Sequence, residues 1–141
     1  MVPMRSFELL DHTADVFLRA RGSDLAELLA ACAEGMNSVL IESGEIQETL
    51  TAEIAVEDDD AEELVHSWLR ELLFRFSAEG LIFRRFDFQG ASPTRVRAIG
   101  YGEHFDPDRH PGGTEIKAVT YHQFSVQQTP EGWLAEVIFD V

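Results

Sequence analysis

Asp11-His12-Thr13-Ala14-Asp15 brings two carboxylates, an imidazole and a hydroxyl into five residues, between two apolar segments, Phe7-Glu8-Leu9-Leu10 and Val16-Phe17-Leu18, that read as strand ends. A short polar connection at the end of a sheet is where function tends to concentrate. Two ionised carboxylates about 4 Å apart repel by roughly 4 kcal/mol at an effective dielectric of about 20, so a close pair calls for a cation or a proton. The bland alternative is that one aspartate closes a turn through its own backbone while the other faces water. Spacing alone leaves both open.

Two further positions carry comparable chemistry. Lys117 is the one lysine among 11 basic residues, the rest being arginine. A compact ammonium that meets a single phosphate, or shifts its pKa, differs in kind from the flat guanidinium fork, so its use at 117 marks either a specific requirement or chance. At the end of the sequence, the Asp140 carboxylate stands next to Val141, whose α-carboxylate adds a second set of hard oxygens. Oxygen donors of this kind suit calcium, magnesium or manganese better than zinc. If the last strand lies near the first, Asp140 meets Asp15; otherwise the terminus is an ordinary frayed end.

Other polar runs read as architecture. Asp58-Asp59-Asp60 precedes a helix, and Asp60 with Glu63 has capping-box spacing, which accounts for the negative charge without a metal. Arg84, Arg85, Arg95 and Arg97 fall on two neighbouring strands, where a solvated or salt-bridged face is favoured over a phosphate site. His104 and His110, in the Pro- and Gly-rich stretch from Gly102 to Gly113, lack the second ligand pair that a zinc site requires.

The elements that must hold these residues follow from periodicity. Ser23 or Asp24 can cap a helix, Asp24 with Glu27 having capping-box spacing, ahead of Leu25, Leu28, Leu29, Cys32, Met36, Val39 and Leu40, one apolar helical face. Leu50, Ala52, Ile54 and Val56 alternate as a strand with one buried face. A second helix runs through Leu64, Val65, Trp68, Leu69, Leu72, Leu73 and Phe76 to a stop at Gly80, with His66 on its flank. Strands are predicted at Leu81 to Phe88 and Thr94 to Tyr101 around a Gly90-Ala91-Ser92-Pro93 turn, then at Thr114 to His122 continuing through Phe124 to Gln128, and finally through Trp133, Ala135, Val137 and Phe139. By alternation Asp140 faces away from Phe139.

The expected fold class is α+β, a single domain over 1–141 with a mostly antiparallel sheet and two amphipathic helices. The formal charge of −15, from 26 acidic against 11 basic residues, repels phosphate backbones and argues against a primary nucleic-acid binder. It suits steering toward a basic partner, or plain solubility. No apolar run reaches membrane-span length, and Met1-Val2-Pro3-Met4-Arg5 lacks the apolar core of a signal peptide. The lone Cys32 forms no internal disulfide, and a cytoplasmic location is the simplest expectation.

Several segments in order along nearly the whole chain resemble the archease family: Leu10-Asp11-His12-Thr13-Ala14-Asp15, Gly100-Tyr101-Gly102-Glu103, His110-Pro111, Thr114-Glu115-Ile116-Lys117-Ala118-Val119-Thr120-Tyr121 and the final Phe139-Asp140-Val141. The helix carrying Trp68 and the following Phe76-Ser77-Ala78-Glu79 add to it. The resemblance implies an accessory factor, not an enzyme, that helps an RtcB-type RNA ligase reach its guanylylated state and turn over repeatedly in tRNA splicing and RNA repair. It implies a bound divalent metal, calcium in the isolated protein, with magnesium or manganese as alternatives. By position the metal ligands are Asp15, Asp140 and an oxygen of Val141. Lys117 becomes the essential basic residue acting toward the ligase, with Asp11 and His12 in support. The implied partner is the ligase, without stable direct nucleic-acid binding or membrane attachment. His122 is assigned no role. Two rival functions stand beside this one: a free-standing metal-dependent phosphohydrolase, which lacks a recognisable nucleophile or phosphate-cradling loop, and a generic chaperone or protein-binding module.

Overall fold

The computed structural model describes residues 5–10 and 15–141, and Asp11 and His12 therefore lie outside the described residues. The chain runs β1 (Arg5–Leu10), β2 (Asp15–Gly22), α1 (Leu25–Leu40), β3 (Leu50–Glu57), α2 (Ala61–Glu79), β4 (Leu81–Ser92), β5 (Arg95–His104), β6 (Ala118–Val119), β7 (Ser125–Thr129) and β8 (Gly132–Asp140). All strand pairs are antiparallel. They form a five-stranded sheet ordered β1-β2-β8-β6, with β7 also on β8, and a three-stranded sheet ordered β3-β5-β4. The α+β class is thus as expected, with the strands divided between two sheets.

Both capping boxes form. Asp24 accepts the Glu27 N–H at 2.8 Å and Asp60 accepts the Glu63 N–H at 2.8 Å, each satisfying a helix-end donor that would otherwise lack a partner. Gly80 ends α2 at φ 68°, a left-handed cap that costs a residue without Cβ nothing sterically. Helix α1 is buried almost all round because it lies against β1, β2 and β8 on one side and β4 and α2 on the other. One core joins both layers: Leu18, Val137 and Phe139 from the larger sheet meet Leu29, Met36, Trp68 and Leu69 of the helices and Ile54 and Val96 of the smaller sheet. Trp68 donates its indole N–H to the Leu29 carbonyl at 3.0 Å, so the helix pair is keyed by a polar contact inside apolar packing.

Three sequence expectations change. His66 is buried, not on a flank: at 1% exposure it lies under Tyr121, because Tyr121 folds back over α2. The hairpin turn moves to Pro93-Thr94, since β4 absorbs extra residues through irregularities at Phe83/Arg85 and Phe88/Gly90 and runs on to Ser92. The strand expected from Thr114 to His122 shrinks to Ala118–Val119. Thr114 instead donates its N–H to Val39 at the end of α1, and Gln123 at φ 53° interrupts the ladder before β7 resumes along the same edge of β8.

The four sheet arginines form an ion-paired surface. Arg85 meets Glu48 at 3.0 Å, Arg95 meets Glu57 at 3.1 Å and Arg97 meets Glu53 at 2.9 Å, while Arg84 reaches Glu45 and Glu48 at 3.9 Å. This is the salt-bridged reading of that cluster.

Candidate functional site

Strand β8 decides the site. It pairs with β2 so that Asp140 stands directly opposite Asp15, and with β6 so that Ala118 stands opposite Asp140. Residues opposite one another in an antiparallel ladder share a face, with Cβ atoms about 4.5–5.5 Å apart. Asp15 and Asp140 therefore occupy one face at the end of the sheet. Val16, Phe139 and Val119, one step inward, take the other face and enter the core. The alternation that buries Phe139 is what exposes Asp140.

Lys117 reaches the same sheet end by a different route. Thr114 is tied to α1 through the Val39 carbonyl at 2.8 Å, Ile116 is buried at 3% exposure, and the Lys117 N–H donates to the Asp140 carbonyl at 2.7 Å. The backbone of the lysine is thus bonded to the residue that carries one of the carboxylates. Being one residue out of phase with Ala118, the exposed Lys117 lines a groove of about 310 Å³ between β6 and α2, together with Arg70, Leu73, Phe74 and Ser77. The sheet end thus carries Asp15 and Asp140 on one face, and Lys117, bonded to Asp140 through its backbone, is turned toward α2.

The carboxylate pair has the donor chemistry of a hard divalent cation. Two ionised aspartates held opposite each other repel. A cation between them reverses that sign. Among the described residues no three His, Cys, Asp or Glu side chains gather closely enough to form a metal-ligand set.

Farther along, the stretch from Gly102 to Gly113 holds a cluster that spacing did not reveal. Glu103 is buried at 4% exposure and accepts the Gln47 N–H at 2.6 Å. It is bridged by Arg109 through both terminal nitrogens and approached by His110 Nε2 at 3.2 Å. His110 Nδ1 accepts the Asp106 N–H at 3.0 Å, so the ring carries its proton on Nε2 and donates toward Glu103. The Arg109 hydrogen bonds, against the opposing effect of burial and with help from Gln47, pull the Glu103 carboxyl down to about 2. His110 is thereby a tether for its loop, while His104 is exposed on the end of β5. The two do not form a zinc pair.

A second cluster lies beside Lys117. Tyr121 stacks on His66 with ring centroids 3.7 Å apart and planes 7° from parallel, and its hydroxyl donates to Glu63 at 2.9 Å. His66 Nε2 donates to the Val119 carbonyl at 3.1 Å, and its buried Nδ1 has no partner. Burial holds the His66 pKa below its ordinary value. The sequence sign of this arrangement was the place of Tyr121 four residues after Lys117, which gives no fold partner by itself.

The same chain, from residue 7 to 141, matches the model of the Archease protein family (MTH1598/TM1083). This protein belongs to the archease family. It is 36% identical to protein archease of Pyrococcus furiosus over 142 residues, covering 98% of this chain and all of that one. It is 34% identical to protein archease of Methanosarcina acetivorans over 141 residues, 97% of each chain. Among solved structures, protein 1598 of Methanobacterium thermoautotrophicum superposes with a TM-score of 0.74 at 31% identity, covering 96% of this chain and 98% of that one. A Thermotoga maritima archease, described as a possible chaperone, shares the fold with a TM-score of 0.61 at 22% identity over 94% of each chain. The archease fold explains why two helices and two antiparallel sheets share one core. No helix among the described residues is long and apolar enough to cross a membrane.

Proposed function

We propose that this archease-family protein is an activator of an RtcB-type RNA ligase, promoting its guanylylation and multiple turnover in tRNA splicing and RNA repair. The observation that supports this reading is the placement of Asp15 opposite Asp140, with Lys117 bonded to Asp140 through its backbone, in a chain of this family. Asp15, Asp140 and an oxygen of Val141 would hold a divalent cation, calcium in the isolated protein or magnesium or manganese in its place, which supplies positive charge for orienting phosphate oxygens. The role of Asp11 and His12, next to Asp15 in sequence, is to support that carboxylate. Lys117 presents its ammonium to the ligase centre, where a flexible point charge can follow a phosphate as charge moves in nucleotidyl transfer. The protein acts as an accessory factor in the cytoplasm, with the ligase as its partner and no stable direct hold on RNA. The excess of acidic over basic residues favours docking to the basic cleft of a nucleic-acid enzyme and speeds that encounter.

The test is a multiple-turnover RNA ligation assay with the cognate ligase, GTP and manganese, comparing no addition, wild type, Lys117→Ala and Asp140→Ala. Stimulation by wild type that is lost in both variants, with unchanged circular dichroism, is expected. A ligase active in single turnover but unstimulated by wild type would overturn the reading. So would normal stimulation by both variants. Stimulation of unrelated clients, insensitive to Lys117→Ala, would favour a general chaperone.

A further inference from the structure

In a chain with 26 acidic and 11 basic residues, any cation left without a carboxylate is conspicuous. Every arginine other than Arg21 and Arg70 lies within ion-pair distance of a glutamate. Among the described residues Arg21, Arg70 and Lys117 make no such pair, and two of these three line the same groove. Arg70 sits on α2 and Lys117 at the start of β6, with Leu73, Phe74 and Ser77 between and beside them.

The α2 contribution has helical order. Positions 70, 73, 74 and 77 are spaced at three and four, so one face of the helix presents a guanidinium, two apolar side chains and a hydroxyl in sequence along its axis. Phe74 is 57% exposed, the most exposed large apolar side chain of the described chain, and with Arg70 it also borders a second groove that holds Ala55, Val56, Glu57, Ser67 and Glu71. The acid Glu71 lines only that second groove, and Glu63 is engaged by the Tyr121 hydroxyl. Among the described residues, the Lys117 groove itself is lined by no carboxylate. Two cations without an ion pair among the described residues, a hydroxyl donor and a bare aromatic face match a ligand with an anionic end and a flat ring. Guanidinium and ammonium groups bind phosphate through charge-assisted hydrogen bonds. An exposed aromatic ring offers a stacking platform that any base can use. Of the −15 formal charge, carboxylates more than about 10 Å away are screened at ordinary salt, while Glu71 beside Arg70 and Asp140 beside Lys117 are near enough to oppose an anion.

We propose that the groove between α2 and β6 is a nucleotide site, in which Arg70 and Lys117 hold the phosphate, Ser77 donates to it, and the base lies against Phe74. This goes beyond the activator reading and stands without it, since the site is defined on the isolated chain. It gives Lys117 a ligand of its own in addition to any role toward a ligase.

The test uses the full chain, labelled with ¹⁵N and kept in EDTA so that no metal bridges phosphate to Asp15 or Asp140. AMP, GMP, inorganic phosphate and guanosine are each titrated while amide shifts are followed. Nucleotide should perturb residues 70–77 and 117–119. Arg70→Ala and Phe74→Ala should each weaken nucleotide binding about tenfold, while inorganic phosphate responds to Arg70→Ala but not to Phe74→Ala. Both side chains are exposed, so both variants should keep the wild-type spectrum elsewhere. Absence of shifts at millimolar nucleotide would overturn the proposal, as would binding that both variants leave intact. So would a groove that answers only to an acidic peptide. Ligase stimulation measured alongside separates the two ideas: stimulation that survives while nucleotide binding is absent removes the nucleotide site and leaves the activator reading standing.

Discussion

Replacing Glu103 with glutamine should loosen the stretch that leads to Lys117, and the cost can be worked from the geometry. The wild-type carboxylate is buried, accepts the Gln47 N–H and is bridged by Arg109, and its pKa falls from the usual 4.5 to about 2. That fall corresponds to about 3 kcal/mol of stability at neutral pH. Arg109 is 40% exposed, so solvent screening trims the figure to about 2 kcal/mol. Because the folded pKa is depressed, this stability is complete above the unfolded value of 4.5 and is lost as pH falls from there toward 2. Glu103→Gln should therefore lower stability by about 2 kcal/mol at pH 7, or about 8 °C in Tm for a domain of this size. Urea titrations of both proteins at a series of pH values measure it, and the gap should have largely closed near about pH 2.5. A gap at pH 7 below about 0.5 kcal/mol, or one that does not narrow with acid, would refute the assignment of the bridge as the source of the shift.

Calcium at about a hundred times its dissociation constant should stabilise wild type by about 2.7 kcal/mol. Asp140→Asn should lose most of that gain yet be no less stable in EDTA, since it removes a like charge opposite Asp15; thermal melts with equal calcium shifts for both proteins would contradict it. Trp68→Phe should cost about 2 kcal/mol in urea denaturation, because it empties part of a fully buried site and removes the bond to Leu29; a change under about 0.5 kcal/mol would mean the helix pair is not keyed there. His66 has its pKa lowered by burial, so the unfolded chain binds more protons and stability should fall as pH drops below about 6.5; a His66→Phe variant should show a flatter profile between pH 7.5 and 5.5, and identical slopes would place the titration elsewhere.

Local chemistry wrote much of this molecule into the chain. The helix starts at Asp24 and Asp60 were legible because a capping carboxylate and the N–H that donates to it lie three residues apart, within one turn. The strand through Ile54 and the opposed faces of Phe139 and Asp140 were legible because side chains alternate with a period of two. For the four sheet arginines the sequence favoured a solvated or salt-bridged face over a phosphate site, and the structure supplies the glutamate partners from residues far along the chain. Less legible was the stretch after Gly113: Thr114 has strand-like neighbours, but its N–H goes to the end of α1, a choice no local pattern records.

What the sequence determined by itself was therefore the set of elements, the buried faces and the residue types available at each end of a strand. What only the tertiary structure decided was which of those ends meet. Asp15 and Asp140 are 125 positions apart, and they face each other because β8 inserts between β2 and β6 in one register; a shift of one residue would send Asp140 into the core and Phe139 to the surface. The burial of Phe139 against the helices fixes that register, so the hydrophobic core places the carboxylates without touching them. Arg70 comes beside Lys117 for the same reason: α2 must cover the inner face of β6 and β7 to bury Val119 and His66, and its outer turn carries the second cation to the edge of the groove.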